Sequence, residues 1–117
     1  MAKTGTAVNM HCLRRDKHKD IQEEACEHLL RSRRDTGDVT LNSNDGKTFL
    51  AHKMILWARS RWFREKLEAG AASITLIDVT GDQLVQLIDL LYREHCNVPD
   101  YQYEELSRIC ETYGINI

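Results

Sequence analysis

The sequence predicts an α+β fold: a small three-stranded sheet flanked by about five helices, with an additional N-terminal strand available for exchange in a dimer. Three observations predict it. Ser43-Asn44-Asp45-Gly46 separates two alternating segments, and an Asp-Gly pair in that setting is a strong hairpin signal. Asp20 with Glu23, and Thr80 with Gln83, have capping-box spacing ahead of segments whose apolar residues recur at helical period. Val8, Met10 and Cys12 alternate with Asn9 and His11, the period of two that turns one face of a strand inward.

Each element follows from local pattern. Residues 7–13 form a short strand, and Arg14-Arg15-Asp16-Lys17-His18-Lys19 is a solvated connector without an apolar residue. The first helix places Ile21, Ala25, Cys26, Leu29 and Leu30 on one face. Arg31, Arg33 and Arg34 complement its dipole, and Asp35-Thr36-Gly37 ends it. Asp38–Asn42 and Lys47–Ala51 are the hairpin strands. Lys53 to Arg59 reads as a short buried helix, and Ser60 caps the next, whose apolar face is Trp62, Phe63 and Leu67 before Gly70. Ser73–Ile77 is the third strand. The Thr80 helix turns Leu84, Leu87, Ile88 and Leu91 to the core. Cys96–Pro99 is an extended link, and Asp100 caps a last helix with Leu106, Ile109, Cys110 and Tyr113, closed by Gly114.

A chain of 117 residues fits one domain with a single core. At 42% hydrophobic and 29% charged, it has the apolar content to fold. The longest apolar runs, such as Met54-Ile55-Leu56-Trp57-Ala58, fall far short of the roughly 20 residues a membrane span needs. The opening Met-Ala-Lys-Thr-Gly-Thr lacks a signal peptide's apolar core, so the expected location is nuclear or cytoplasmic and the 4 cysteines are expected as thiols. Net charge is −2, but residues 1–34 carry 8 Lys and Arg against 5 Asp and Glu, and the remainder 8 against 13. That asymmetry suits self-association, an arm of one subunit lying on the body of another.

The middle of the chain resembles a BTB/POZ domain. The likeness runs from about residue 20 to residue 115. It is carried by Asp38-Val39-Thr40-Leu41, by Phe49-Leu50-Ala51-His52-Lys53 followed by Ile55-Leu56 and Ala58-Arg59-Ser60, and by Leu87-Ile88-Asp89-Leu90-Leu91-Tyr92, with Trp62-Phe63 in the family's aromatic place. The resemblance implies a non-enzymatic module that homodimerises and docks partner proteins, such as the oligomerisation domain of a transcription-regulatory or scaffold protein that meets a transcriptional co-regulator. It divides the chain into residues 1–19, an N-terminal strand and basic connector serving the dimer surface, and residues 20–117, the domain itself. It places the dimer interface at Val8, Met10, Ile21, Cys26, Leu29 and Leu30, and a charged pocket beside it at Asp38 and Lys53. If the pair is buried, removing either charge would cost about 3–5 kcal/mol; exposed, the pair would be worth under about 1 kcal/mol.

The alternative within the family is a substrate adaptor of a cullin-dependent ubiquitin ligase. Such adaptors carry an apolar-x-Glu motif after the Trp-Phe helix, where this chain has only Glu68-Ala69-Gly70-Ala71-Ala72-Ser73. No zinc-finger, ankyrin, kelch or MATH segment occurs in the sequence.

The chemistry-bearing residues point to neither metal nor catalysis. His11-Cys12, Cys26 with His28, and His95-Cys96 lack the spacings that put two ligands on one ion, and no cofactor is expected. Cys26 and Cys110 lie on apolar helix faces and read as small core residues. His52, in the strand-to-helix turn with no nucleophile near it in sequence, reads as structural. The single basic cluster, residues 14–19, has no interleaved aromatic residue, so direct nucleic-acid binding is not expected.

Overall fold

The computed structural model describes residues 10–14 and 23–115. Its order is β1 (Met10–Arg14), α1 (Glu23–Arg31), α2 (Arg33–Thr36), β2 (Val39–Asn42), β3 (Thr48–Ala51), α3 (Lys53–Arg59), α4 (Arg61–Glu68), β4 (Ser73–Thr75), α5 (Gly81–Arg93), β5 (His95–Pro99) and α6 (Asp100–Thr112). The chain has the α+β architecture its sequence predicts, with a three-stranded sheet ordered β3-β2-β4.

The hairpin forms where the Asp-Gly signal lies, with Val39 opposite Ala51 and Asn42 opposite Thr48. Val39 and Leu41 are buried while Thr40 and Asn42 are only partly so, which gives β2 one core face. Gly46 has φ 86°, the left-handed conformation the turn requires. β4 pairs parallel with β2, which needs a long crossover; α3 and α4 supply it. Helix α5 opens with the capping box read from sequence: Gln83 N–H donates to Thr80 Oγ1 (3.2 Å) and Thr80 N–H to Gln83 Oε1 (3.0 Å). Leu84, Leu87, Ile88 and Leu91 on its inner face are each at most 2% exposed. Phe63 and Tyr113 close the core below, with Trp62 edge-on to both at 5.1 and 4.6 Å.

Several local readings need correction. The first helix does not run to Arg34: it stops at Arg31, where the His28 carbonyl takes the Ser32 hydroxyl (3.0 Å) as well as the Ser32 N–H (3.1 Å), and the chain restarts as the one-turn α2. Gly37 does not end it in a left-handed turn, since its φ is −63°. It is glycine for space, because a Cβ would stand 2.5 Å from the Arg33 carbonyl oxygen and 3.0 Å from Leu50 Cβ. Cys96–Pro99 is no mere link. It lies in β5, which pairs antiparallel with β1, Met10 opposite Pro99 and Arg14 opposite His95. The third strand stops at Thr75, and Ile77 beyond it is 81% exposed. Asp100 is the first residue of α6, and Pro99 is its cap. Residues 7–9 of the expected first strand, and Asp20 of the expected capping box, lie outside the described residues.

Candidate functional site

The family resemblance puts the apolar stripe of helix α1 at a dimer interface. The structure gives it a core partner in α5. Cys26 is fully buried and Leu30 is 8% exposed, while Leu29 is only half-buried. Arg93 of α5 fixes the pairing by donating to both carboxylate oxygens of Glu27 at 3.1 and 3.2 Å. Val8 and Ile21 lie outside the described residues, and Met10 is placed by backbone alone, in β1. Of the expected interface set, Leu29 is the described side chain that keeps accessible apolar surface.

Asp38 and Lys53 do come together, but not as a buried pair of charges. Both are exposed, and the Asp38 carboxylate accepts from the backbone N–H of Lys53 at 2.7 Å. That amide opens α3, so the carboxylate supplies the acceptor missing from the first helical turn. Asp38→Ala is therefore expected to lower stability by about 1 kcal/mol and Lys53→Met to change it little. Their coupling in a double-mutant cycle read by urea unfolding should stay under about 1 kcal/mol; a coupling well above that range would restore the buried pair.

Next to them, His52 is buried with every polar group engaged. Its backbone N–H donates to the Tyr92 hydroxyl (2.8 Å), and the same hydroxyl lies 2.9 Å from Nδ1. Nε2 is 2.7 Å from Thr36 Oγ1, whose own proton goes to the Ser32 carbonyl. Each ring nitrogen thus has a hydroxyl partner, which suits a buried, neutral imidazole. Burial, ahead of the smaller effects of Asp38 and Arg33, holds His52 below its ordinary 6.5 and pushes the Tyr92 phenol up to about 12. No free lone pair remains for base catalysis, in line with a structural role.

The surface the sequence reading missed lies on α3. Lys53–Arg59 is buried on one face only, through Ile55, Leu56 and Arg59. The opposite face exposes Met54 at 57% and Trp57 at 47%. Arg64 of α4 stacks over the Trp57 ring, 4.5 Å from its centroid, and its Nε donates to the Trp57 carbonyl at 2.8 Å. The available signal was the i, i+3 spacing of Met54 and Trp57, opposite Ile55 and Leu56: a helix apolar on two faces has more surface than its own core can cover.

Among the described residues no three His, Cys, Asp or Glu side chains are grouped to hold a metal ion, and no helix is long and apolar enough to cross a membrane. Cys26, Cys96 and Cys110 are buried thiols, and burial pushes Cys110 up to about 12, so it is a packing residue and not a nucleophile.

Comparison with known proteins agrees with this geometry. Residues 27–116 match the BTB/POZ domain family. A BTB/POZ domain-containing protein of Arabidopsis thaliana is 35% identical over 71 residues, 56% of this chain and 34% of the relative. Protein abrupt of Drosophila melanogaster is 37% identical over 82 residues, 68% of this chain and 9% of its own length. Protein bric-a-brac 2 of the same species is 31% identical over 107 residues, 89% of this chain and 10% of its own. The chain thus spans about a third of the first of these relatives and about a tenth of the other two.

Proposed function

The chain belongs to the BTB/POZ domain family, and on that premise we propose that it homodimerises and docks partner proteins without catalysing a reaction, as the oligomerisation domain of a nuclear or cytoplasmic transcription-regulatory or scaffold protein. The observation that carries the docking reading is the exposed Met54–Trp57 face with Arg64 pinned against it. Tryptophan and arginine dominate binding energy at interfaces, and here the two lie against one another on one exposed face. Dimerisation draws support from the half-buried Leu29 and from β1, which packs chiefly on β5. A ladder of this kind satisfies the same backbone groups whichever copy contributes the strand. In this reading residues 1–19 serve the dimer surface, and Asp38 and Lys53 are exposed charges at its rim. The cullin-adaptor reading gains no support from the short turn joining α4 to β4, in which Gly70 has φ 94°.

Light scattering coupled to size-exclusion chromatography tests the reading. The wild-type chain should elute with a dimer's mass. Leu29→Asp should shift it toward monomer, and deletion of residues 1–13 should raise the dimer dissociation constant while the body stays folded by circular dichroism. Trp57→Ala should remain dimeric and folded. A monomeric wild type, or a Leu29→Asp variant with an unchanged dissociation constant, would sink this interface.

A further inference from the structure

The three-stranded sheet has an edge that the rest of the fold covers only at one end, where α2 and Gly37 lie against Leu50 and Ala51. Thr40 N–H donates to the Ala72 carbonyl (3.0 Å) and the Asn42 carbonyl accepts from Leu76 N–H (2.9 Å), so these two residues of β2 turn their backbone groups toward β4. Alternation turns Val39 and Leu41 toward β3, where Ala51 and Phe49 are their register partners. The backbone groups of Thr48 and Leu50 therefore face outward, along the free edge of β3. The Leu50 carbonyl there accepts from Arg33 Nη1 (3.3 Å). Among the described residues, the Thr48 and Leu50 amides and the Thr48 carbonyl have no partner across that edge.

The side chains on this side form a groove of about 490 Å³, lined by Arg33, Arg34, Thr40, Thr48, Phe49 and Leu50. No acidic residue lines it, and among the described residues neither arginine is paired with a carboxylate. Unused strand donors beside two guanidinium groups and two hydroxyls are complementary to one kind of occupant. A second copy of β3 would set Arg33 and Arg34 against their own equivalents, and like charges across strands repel.

We propose that the β3 edge and its groove dock an extended acidic peptide of another protein, added as a strand beside β3, with carboxylates at alternate positions on Arg33 and Arg34. Main-chain pairing supplies adhesion without sequence preference, and the arginine forks select carboxylates at every second residue. The inference deepens the docking reading above, on which it rests, but uses neither Met54 nor Trp57 nor α1. Its failure would leave the light-scattering results untouched.

A randomised nine-residue peptide library displayed on phage, selected on the whole chain and counter-selected on Arg34→Ala, is the test. Arg34 is exposed, so its loss leaves the fold intact. Enriched peptides should carry Asp or Glu at alternate positions. The strongest, made with a fluorescein label, should bind at least tenfold more weakly to Arg34→Ala by fluorescence polarisation and slow hydrogen exchange at the Thr48 and Leu50 amides. Arg34→Glu should reverse the selection toward Lys and Arg. Peptides without acidic enrichment, acidic peptides that bind Arg34→Ala equally well, unchanged exchange at Thr48 and Leu50, or no enrichment at all would each overturn the proposal and leave Arg33 as a blunt cap on the sheet edge.

Discussion

Replacing Arg59 with alanine is expected to destabilise the domain by about 3–5 kcal/mol, a large part of what a chain this size has to lose. Its side chain is fully buried, and Nη1 donates to the carbonyls of Leu91 (2.7 Å) and Tyr92 (3.2 Å) at the end of α5. Nη2 is 2.9 Å from the Glu94 carboxylate. Without the guanidinium, two interior acceptors and a partly buried anion lose their donor together. Glu94 is also the one non-glycine residue among those described with positive φ, at 69°, a conformation costing a non-glycine residue about 1 kcal/mol. Arg59 holds it there. Glu94→Gly strands the buried guanidinium in turn, but Arg59 keeps its two carbonyl acceptors and glycine adopts that backbone freely, so its cost should fall below that of Arg59→Ala. Urea unfolding at constant m-value measures both; equal losses would mean that the carbonyl contacts contribute little.

Tyr92→Ala should cost about the same, 3–5 kcal/mol, because its ring is among the largest fully buried side chains of the core. Tyr92→Phe separates the hydroxyl from the ring and should cost about 1–3 kcal/mol, the penalty for leaving the His52 amide and Nδ1 unpaired in the interior. Burial of His52 also makes stability sensitive to acid. The unfolded chain protonates His52 near 6.5, whereas the folded chain, with a lowered pKa, resists. Between those two values the unfolded state binds more protons, so stability is full above about pH 6.5 and falls as the pH drops below it. His52→Gln should flatten that slope in unfolding midpoints taken from pH 7.5 to 5. A slope unchanged in the variant would assign the acid sensitivity to other groups.

Most of the sheet and the helix ends were legible because their causes are local. Thr80 and Gln83 bond to each other's backbone, and Gly46 turns the hairpin by its own freedom. The misreadings share a different cause. His95–Pro99 alternates, but over few residues and into a proline, too short a pattern to declare a strand, and it becomes one because β1, from near the start of the chain, lies beside it. The Ser32 break depends on a hydroxyl choosing a carbonyl four residues back, a choice that composition leaves open. At the site, family likeness placed Asp38 beside Lys53 but could not tell a side-chain pair from a carboxylate on a backbone amide. The α1 stripe looked unpartnered because nothing in its own pattern says that α5 will cover Cys26 and Leu30. Trp57 was overlooked for the converse reason, since an apolar run reads as interior until the opposite face of the helix is seen to be full.

The β1–β5 ladder joins strands with about two thirds of the 117-residue chain between them, and that separation is also a delay. A ribosome adding about 5–20 residues each second releases β1 several seconds before β5 exists. Throughout that interval β1 has no mate in its own polypeptide, while neighbouring ribosomes on the same message carry chains at every stage of completion. The first β5 to meet a waiting β1 can then belong to an older sibling, so whether the ladder closes within one molecule or between two is open to the crowding of nascent chains on the message, before the finished protein is ever diluted into the cell.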